Sequence, residues 1–470
     1  MKKNVFLFLS IIALSILGCS KDDDAETLST IQAAFMNPEV NLSSTETTVN
    51  IAFSSAATSA GTITLNVTPT NVSNGIDFST NPAITGTTIT VPFNSGATNT
   101  SFTFTKIIEA IEGETKNVKF TIASTSLSNI EIPSTTNYTQ LNFNETAITA
   151  NTTIAENGGN NLPNQVYIDL SSGTETAISR TSWELGFHSG NEFRVVLNPA
   201  INKLAVKQLA TTNIDEVQAE DPNVTTGNYI PSGSIYIDNP YGNLSGTSIA
   251  EISSVDSENK VYLVNLGQDV STTTASGTGT ALTGDDRGWK KIRILRSGNN
   301  YKLQYANIDA TTHNEVIISK NAAFNHTFYS LITNNIVTAE PEKDKWDLNI
   351  TPFMNYTQYN GENVSYFFSD VVITNALAGT AVYSVSTTDF SYTDFNINNV
   401  NSTNFSTNEA KDRRAIGSNW RSTYPAPSVK TNLFYVLKDT AGNIYKIKFT
   451  SMLNNASERG TTTFEYSKLN

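Results

Sequence analysis

Short runs in which apolar and polar residues alternate dominate the chain between residues 31 and 143. They include TTVNIAF (47–53), GTITLNVTPT (61–70), TTITVPF (87–93), NTSFTFTKI (99–107) and KNVKFTIAS (116–124). A period of two is typical of strands with one buried face, and regular spacing of such strands is typical of an antiparallel sandwich. No segment of normal helix length has a helical apolar face. The pattern therefore predicts an all-β protein, with a β-sandwich over residues 31–145.

The composition agrees with this fold and excludes one class of partner. Thr, Asn, Val, Ile, Phe and Tyr suit pleated sheets and the turns between them, and only 16% of the residues are charged. The formal net charge is −13 and the isoelectric point is about 4.8. A chain this acidic repels phosphate backbones, so we expect no nucleic-acid partner.

The first twenty residues, MKKNVFLFLSIIALSILGCS, predict an exported lipoprotein. The apolar run from Val5 to Leu17 is too short to cross a bilayer as a helix and ends beside Cys19. We interpret residues 1–18 as a signal peptide. The tetrapeptide ILGC resembles the lipobox of bacterial lipoproteins, which implies a lipid, with palmitate-type acyl chains, on Cys19. An uncleaved anchor or an accidental cysteine is the alternative.

Residues 19–30 form a predicted acidic tether that begins with the sequence CSKDDD. Dense charge beside a lipid stays solvated and holds the folded part away from the membrane. The tether resembles the surface-export signal of Bacteroidetes lipoproteins, which implies the outer face of the outer membrane. A plain flexible linker is the alternative. We expect the lipid to be the only membrane attachment, because no second apolar run has spanning length.

The predicted sandwich also carries a family resemblance. The order GTITLNV, NGIDF (74–78) and IEGETKNVKFTIAS (111–124) resembles a Calx-beta or related immunoglobulin-like module. That resemblance implies calcium near Glu109, Glu112 and Glu114. A hard cation needs several converging oxygens, and three glutamates on one loop do not establish such a site. We favour a solvated acidic turn in a spacer domain.

A weak internal repeat follows a predicted linker at residues 146–164. The segments VYIDLSSGTETAISRTSWELGFHSG (166–190) and FYSLITNNIVTAEPEKDKWDLNITPFMN (328–355) each pass from an aromatic strand to a Trp-acid pair. Farther on, WKKIRILRSGNNYKLQYANID (289–309) and FYVLKDTAGNIYKIKFTSM (434–452) each predict a hairpin with a Gly-Asn turn. Two related β units are therefore expected over residues 165–320 and 321–470.

These landmarks resemble a known family. The Trp-acid strand, the late hairpin and the terminal strand GTTTFEYSKL (460–469) resemble the HmuY-like haem-binding lipoproteins of Bacteroidetes. The resemblance is best over 328–470 and looser over 165–320. It implies a duplicated antiparallel β region that binds haem, taken from a host haem protein and passed to an outer-membrane transporter.

The residues that ligate haem in the founding type have no counterpart here. In that type two axial histidines lie between the Trp-Asp strand and the late hairpin, whereas residues 377–432 contain no His and no Met. Tyrosine also ligates ferric haem. The ligand candidates are therefore Tyr424, in GSNWRSTYPAP, and Tyr392, although a tyrosine in such a loop is more often a packing residue. His326, where the first unit meets the second, is a third candidate because it could face a cleft.

No sequence motif for catalysis or for a protein metal site is present. Asp285 and Asp286 fit a solvated turn better than a catalytic pair, and Arg413 and Arg414 fit a surface loop, although they could meet anions. We therefore expect no enzyme. The first functional hypothesis is a surface lipoprotein that binds haem or a similar planar ligand for uptake. The alternative is an adhesion or assembly lipoprotein that has lost haem binding and contacts glycans or proteins.

Overall fold

The computed structural model describes residues 30–111, 114–146, 150–227, 229 and 231–469. The predicted signal peptide, Cys19, all but the last residue of the tether, and Glu112 lie outside the described residues. Within the described ranges no helix is long and apolar enough to cross a membrane. The chain forms two compact units that divide near residue 145, with residues 111–113 belonging to the second.

The N-terminal unit consists of short strands joined by turns. Its strands are β1 (Ile31–Phe35), β2 (Glu39–Leu42), β3 (Glu46–Phe53), β4 (Gly61–Thr70), β5 (Phe78–Asn81), β6 (Thr88–Phe93), β7 (Asn99–Lys106), β8 (Ala110–Ile111), β9 (Asn117–Thr125), β10 (Ile130–Glu131), β11 (Tyr138–Phe143) and β12 (Glu145–Thr146).

Two five-stranded sheets enclose the core of this unit. Their strand orders are β10-β1-β3-β7-β5 and β2-β11-β9-β4-β6. Every second side chain of the long strands is buried, as the alternation requires. Phenylalanines fill the space between the sheets: Phe102 lies 4.7 Å from Phe120, and Phe78 stacks on Phe104 at 5.1 Å between ring centroids. The predicted immunoglobulin-like sandwich is confirmed.

The other twenty strands of the described residues lie in the C-terminal unit. They are β13 (Ala150–Glu156), β14 (Asn164–Asp169), β15 (Thr174–Ser179), β16 (Leu185–His188), β17 (Val195–Leu197), β18 (Leu204–Gln208), β19 (Val261–Leu266), β20 (Trp289–Ser297), β21 (Asn300–Asn307), β22 (Asn314–Ile318), β23 (His326–Ser330), β24 (Asn335–Val337), β25 (Leu348–Tyr359), β26 (Glu362–Thr374), β27 (Ala381–Ser386), β28 (Arg421–Ser422), β29 (Ser428–Val429), β30 (Leu433–Lys438), β31 (Ile444–Ser451) and β32 (Thr461–Lys468).

The helices of the described chain are all 3-10 turns, and all of them lie in the C-terminal unit. They are Ile214–Glu216, Pro231–Tyr236, Leu244–Gly246, Asp256–Glu258, Ile397–Asn399 and Ser402–Ser406. The absence of an α-helix in the described part agrees with the missing helical periodicity.

Four main sheets build the C-terminal unit, with orders β13-β32-β31-β30-β27, β15-β14-β25-β26, β17-β16-β23-β24 and β18-β19-β20-β21-β22. The first two enclose one core, in which Trp420 lies 4.6 Å from Phe449. The other two enclose a second core, where Phe187 packs on Tyr301 at 5.1 Å. Both predicted Gly-Asn hairpins are present, as the antiparallel pairs β20–β21 and β30–β31.

The two sequence repeats share sheets within this unit. Strand β14 of the first repeat pairs with β25 of the second, and β16 of the first pairs with β23 of the second. Each repeat therefore completes two sheets with strands of the other. The exchange pairs strands that are far apart in the sequence, so a local sequence pattern does not predict it.

The prediction of a linker over residues 146–164 is wrong for the middle of this segment, which forms a strand. Residues Ala150–Glu156 form β13, which pairs along its whole length with the terminal strand β32. Only Thr153 and Ala155 of this edge strand are buried. Because the other side chains face solvent and are mostly polar, the segment has the composition of a loop while its backbone completes a sheet.

Candidate functional site

Each Trp-acid pair of one repeat supports the backbone of the other. The buried carboxylate of Glu184 accepts a hydrogen bond from the backbone N–H of Leu331, directly after β23. In the same way the Asp347 carboxylate accepts the N–H of Leu170, directly after β14, at 2.9 Å. Glu184 also forms an ion pair with the buried Arg287, with 2.6 Å between Oε1 and Nη2. The acids that the repeat pattern singles out therefore hold the exchanged strands together.

The tryptophan of each pair also packs against a residue of the other repeat. The ring of Trp183 packs on Phe328 of the second repeat, with 4.4 Å between centroids. The ring of Trp346 packs on Tyr167 of the first repeat, with 5.0 Å between centroids. Phe328 and Tyr167 hold the same position in their repeats, three residues before Leu331 and Leu170. Both tryptophans line one cavity between the repeats.

This cavity encloses about 110 Å³ and has a mixed wall. It is smaller than the cavity of about 150 Å³ that admits one benzene molecule, so it is too small to enclose a porphyrin. It is lined by Gln165, Tyr167, Trp183, Val196, Leu197, Pro199, Ala200, Asp238, Asn239, Gly242, Asn243, Leu244, Thr247, Asn325, His326, Phe328, Glu340, Trp346, Asn349, Thr351, Ile373, Thr374, Asn375, Ala376, Leu377 and Arg413.

Five polar atoms in this wall are buried and have no hydrogen-bond partner in the described part of the chain. They are Trp183 Nε1, Trp346 Nε1, His326 Nε2, Asn349 Oδ1 and Thr374 Oγ1. Buried polar groups are nearly always hydrogen-bonded, so such a concentration around one cavity needs an explanation.

The ionisable groups of the wall are shifted toward their neutral forms. Burial raises the pKa of Glu340 to about 8, although its carboxylate accepts the N–H groups of Asn325 and His326. Burial, followed by the charges of His188 and Arg413, lowers the pKa of His326 to about 3. At neutral pH the cavity therefore holds a neutral imidazole and a mostly protonated carboxyl group.

The structure places His326 in this cavity and pairs it with a second histidine. His188 is its cross-strand partner in the β16–β23 pair, with 5.7 Å between ring centroids. Sequence reasoning found no such pairing because the two residues belong to different repeats. Nowhere in the described chain do three or more His, Cys, Asp or Glu side chains form a group that could hold a metal ion.

The two predicted tyrosine ligands lie apart from the cavity wall. Tyr424 is 86% exposed in the loop between β28 and β29. Tyr392 is half-buried against Phe434, and its hydroxyl donates to the carbonyls of Lys446 (3.4 Å) and Glu465 (3.5 Å). Burial raises its pKa to about 12. The fold therefore uses the Tyr392 hydroxyl in packing and leaves that of Tyr424 accessible.

Sequence reasoning missed a group of three tyrosines at the end of the long β25–β26 hairpin. We call Tyr229, Tyr359 and Tyr366 the tyrosine cluster. The ring centroid of Tyr229 lies 5.0 Å from that of Tyr359 and 4.7 Å from that of Tyr366, and the angle between the ring planes is 36° in both pairs. Tyr229 is 43% exposed and Tyr359 is 50% exposed. The available signal was the Asn-Gly turn at 360–361 between two aromatic runs.

Two arginines lie near the tyrosine cluster. The charges of Arg421 and Arg459 interact with Tyr366, and burial lowers the pKa of both guanidinium groups to about 10. Arg459 forms an ion pair with Asp370, and Arg421 donates to the Ser369 carbonyl. Both guanidinium groups therefore already have partners within the fold.

The arginines predicted to lie on a surface loop have defined partners. Arg413 donates from Nε to the carbonyl of Pro240 at 2.9 Å and lies 4.9 Å from the ring centroid of Phe353. Arg414 binds Asp412 and the side chain of Asn355. Packing against neighbouring loops, which sequence order does not show, holds both side chains.

The glutamates considered for calcium in the N-terminal unit have lysine partners. Glu109 lies 2.7 Å from Lys106 Nζ, and Glu114 lies 3.0 Å from Lys116 Nζ. Such ion pairs satisfy the carboxylates locally. The structure of this loop therefore adds no support for calcium at these two residues.

Comparison with protein families identifies the C-terminal unit. The family model described as "HmuY protein" matches twice, over residues 161–321 and 322–466. No curated protein is similar enough in sequence to be matched.

Among solved structures, similarity is found to the apo-form Calx CBD1 domain, at 14% identity over 24% of this chain and 96% of that chain. A two-domain protein with unknown function from Bacteroides fragilis matches at 10% identity over 64% of this chain and 90% of that chain. Both TM-scores are 0.20, so neither match carries an argument, and the sandwich assignment rests on the sheets themselves.

Proposed function

Since the chain belongs to the HmuY family, we propose that it is a lipid-anchored protein of the outer-membrane surface that binds haem or a similar planar ligand for uptake and catalyses no reaction. The lipobox-like sequence ending at Cys19 and the acidic residues that follow support this location. The partners implied are a host haem protein as the source and an outer-membrane transporter as the acceptor.

The tyrosine cluster is the observation that carries the ligand proposal. Tyr366 is the iron ligand in this proposal, because tyrosine ligates ferric haem and the ring of Tyr366 lies 4.7 Å from that of the partly exposed Tyr229. Tyr229 shares a hydrogen bond with Tyr366 and holds it in place. The exposed rings of Tyr229 and Tyr359 offer apolar faces against which a macrocycle can be buried.

The backbone at Tyr229 supports a functional role. Its φ is +59°, a left-handed conformation that costs a non-glycine residue about 1–2 kcal/mol. Two bonds to β26 hold it there: the N–H of Gly227 donates to Ser365 Oγ (2.9 Å), and the N–H of Tyr229 donates to the Ser365 carbonyl (3.2 Å). Strained residues held in this way concentrate at binding sites.

A haem titration followed by absorbance tests the proposal. The sample is the chain from residue 20 onward, which keeps every described residue. We expect a shifted Soret band that saturates at one haem per chain. Tyr366→Phe should change the band and weaken binding, whereas Tyr424→Phe, at an exposed tyrosine outside the cluster, should leave both unchanged.

Two other results of the titration would contradict the proposal. Loss of the band in Tyr424→Phe alone would move the ligand to the β28–β29 loop and refute the tyrosine cluster as the site. An unshifted band in the unsubstituted chain would refute haem binding. In that case the exposed aromatic face would favour the adhesion or assembly function, with glycans or proteins as partners.

A further inference from the structure

We propose that the cavity between Trp183 and Trp346 binds a single uncharged, hydroxyl-rich ring, namely the terminal sugar residue of a glycan. This site is separate from the tyrosine cluster, and its occupation does not depend on haem binding. It uses residues of both repeats, so it exists only because the repeats exchange strands.

The unpartnered polar atoms define the chemistry of the ligand. Trp183, Trp346, Asn349 and Thr374 are each more than nine-tenths buried, and their free atoms meet no partner among the described residues. The two indole N–H groups only donate, the Asn349 oxygen only accepts, and the Thr374 hydroxyl can do either. Hydroxyl groups both donate and accept, so several hydroxyls on one ring can satisfy this mixed set.

Size and wall composition restrict the ligand further. The enclosed volume of about 110 Å³ is below that of a cavity that admits benzene, so it takes one edge of a sugar ring, with the rest of the ring in the adjoining groove, and it excludes a macrocycle. Apolar side chains, including Leu197, Phe328 and Ile373, line the wall together with the polar ones. A sugar ring has the matching character, with C–H groups on its faces and hydroxyls around its edge.

The ionisable groups of the wall are already bonded, which favours a neutral ligand. The Asp238 carboxylate accepts the N–H groups of Leu197 (2.7 Å) and Ser248 (2.8 Å). Glu340 accepts the N–H groups of the β23 start, and Arg413 donates from Nε to a backbone carbonyl. A ligand with a formal charge would lose hydration without gaining a free partner of opposite charge.

The cavity adjoins a surface groove that can accept the rest of a glycan chain. The two share Gly242, Asn243, Leu244, Ala376 and Leu377, and Leu377 is 40% exposed. Beyond them the groove is largely polar, lined by Glu192, Tyr241, Asn408, Glu409, Lys411 and Asp412. A terminal sugar that enters the cavity with one edge, with its other atoms and the rest of the glycan lying along this groove, fits both shapes.

Ligand-observed saturation-transfer NMR on the chain from residue 20 onward tests the site. The probes are the methyl glycosides of glucose, galactose, mannose and N-acetylglucosamine. We expect saturable transfer to at least one of them. Sorbitol, which has the hydroxyls without the ring, should show none, and glucuronate, which adds a charge, should bind more weakly than glucose.

Substitutions then locate the binding. Trp183→Phe and Trp346→Phe keep an aromatic ring but remove the indole N–H, and each should weaken sugar binding about 3- to 10-fold, the equivalent of one neutral hydrogen bond. Trp289→Phe is the matched control, because Trp289 lies on β20 outside the cavity wall. Thermal unfolding followed by circular dichroism verifies that each variant is folded.

Three results would overturn the proposal: no saturable transfer to any of the four sugars, equal transfer to sorbitol, or sugar binding unaffected in both cavity variants. A haem titration of the same variants separates this proposal from the previous one. The Soret change should be the same in Trp346→Phe as in the unsubstituted chain, so failure of either site leaves the other testable.

Discussion

Replacing Glu184 by Gln should destabilise the C-terminal unit by about 3 kcal/mol. Gln keeps an oxygen that can accept the N–H of Leu331 but removes the negative charge 2.6 Å from Arg287. Removing one partner of a buried ion pair costs about 3–5 kcal/mol, because the other charge stays buried. The lower end applies here, since Arg287 keeps Asp269 at 3.1 Å and the carbonyls of Thr181 and Leu266.

Urea unfolding followed by tryptophan fluorescence measures this effect in the right unit. All four tryptophans, Trp183, Trp289, Trp346 and Trp420, lie in the C-terminal unit, so the N-terminal sandwich does not contribute to the signal. With a urea m value of about 3 kcal/mol/M, the midpoint should fall by about 1 M.

The control and the companion variant make this result decisive. Glu220→Gln removes an exposed charge and should change stability by less than about 0.5 kcal/mol. Adding Arg287→Met to Glu184→Gln removes the unpaired buried charge, so part of the loss should be recovered. A Glu184→Gln midpoint equal to that of the unsubstituted chain would refute the argument that the buried Glu184–Arg287 ion pair stabilises this unit.

Two further predictions concern a buried acid and the lipid. The pKa of Glu340 is about 8 in the folded protein, against an ordinary value of 4.5. Between these two pH values the folded state therefore binds more protons than the unfolded state. The free energy of unfolding should fall as pH rises through this window. Glu340→Gln cannot ionise, so its urea midpoint should change less between about pH 5 and about pH 8, and an unchanged slope would contradict the assignment. In cells given labelled palmitate, the unsubstituted chain should incorporate label and Cys19→Ala should not; label in both would place the lipid elsewhere.

The strand pattern of the N-terminal unit could be predicted because its signal is local. In TITVPF (88–93) the buried and exposed side chains alternate as the sequence does. The edge strand β13 was missed for the converse reason. Its partner is the terminal strand β32, some 300 residues away in the chain, and most of its side chains face solvent.

The two proposed binding sites were harder to predict from the sequence than the fold. The predicted tyrosine ligands lie within residues 377–432, whereas the tyrosine cluster combines Tyr229 with Tyr359 and Tyr366 of the β25–β26 hairpin. His326 was singled out as a residue that could face a cleft, but its partner His188 belongs to the other repeat. The residues of the tyrosine cluster, and the two histidines, are too far apart in the sequence to form a recognisable motif.

By itself, the sequence determined the all-β class, the sandwich, the duplication and the two Trp-acid pairs, because period-two burial, turn residues and repeated landmarks are local properties of a chain. Only the tertiary structure decided what those pairs do. Glu184 and Asp347 each bond the other repeat, and Trp183 and Trp346 enclose one cavity between the repeats. The physical reason is that a buried acid or indole is satisfied by whichever backbone or ring packs against it, and strand exchange brings that partner from a distant part of the chain.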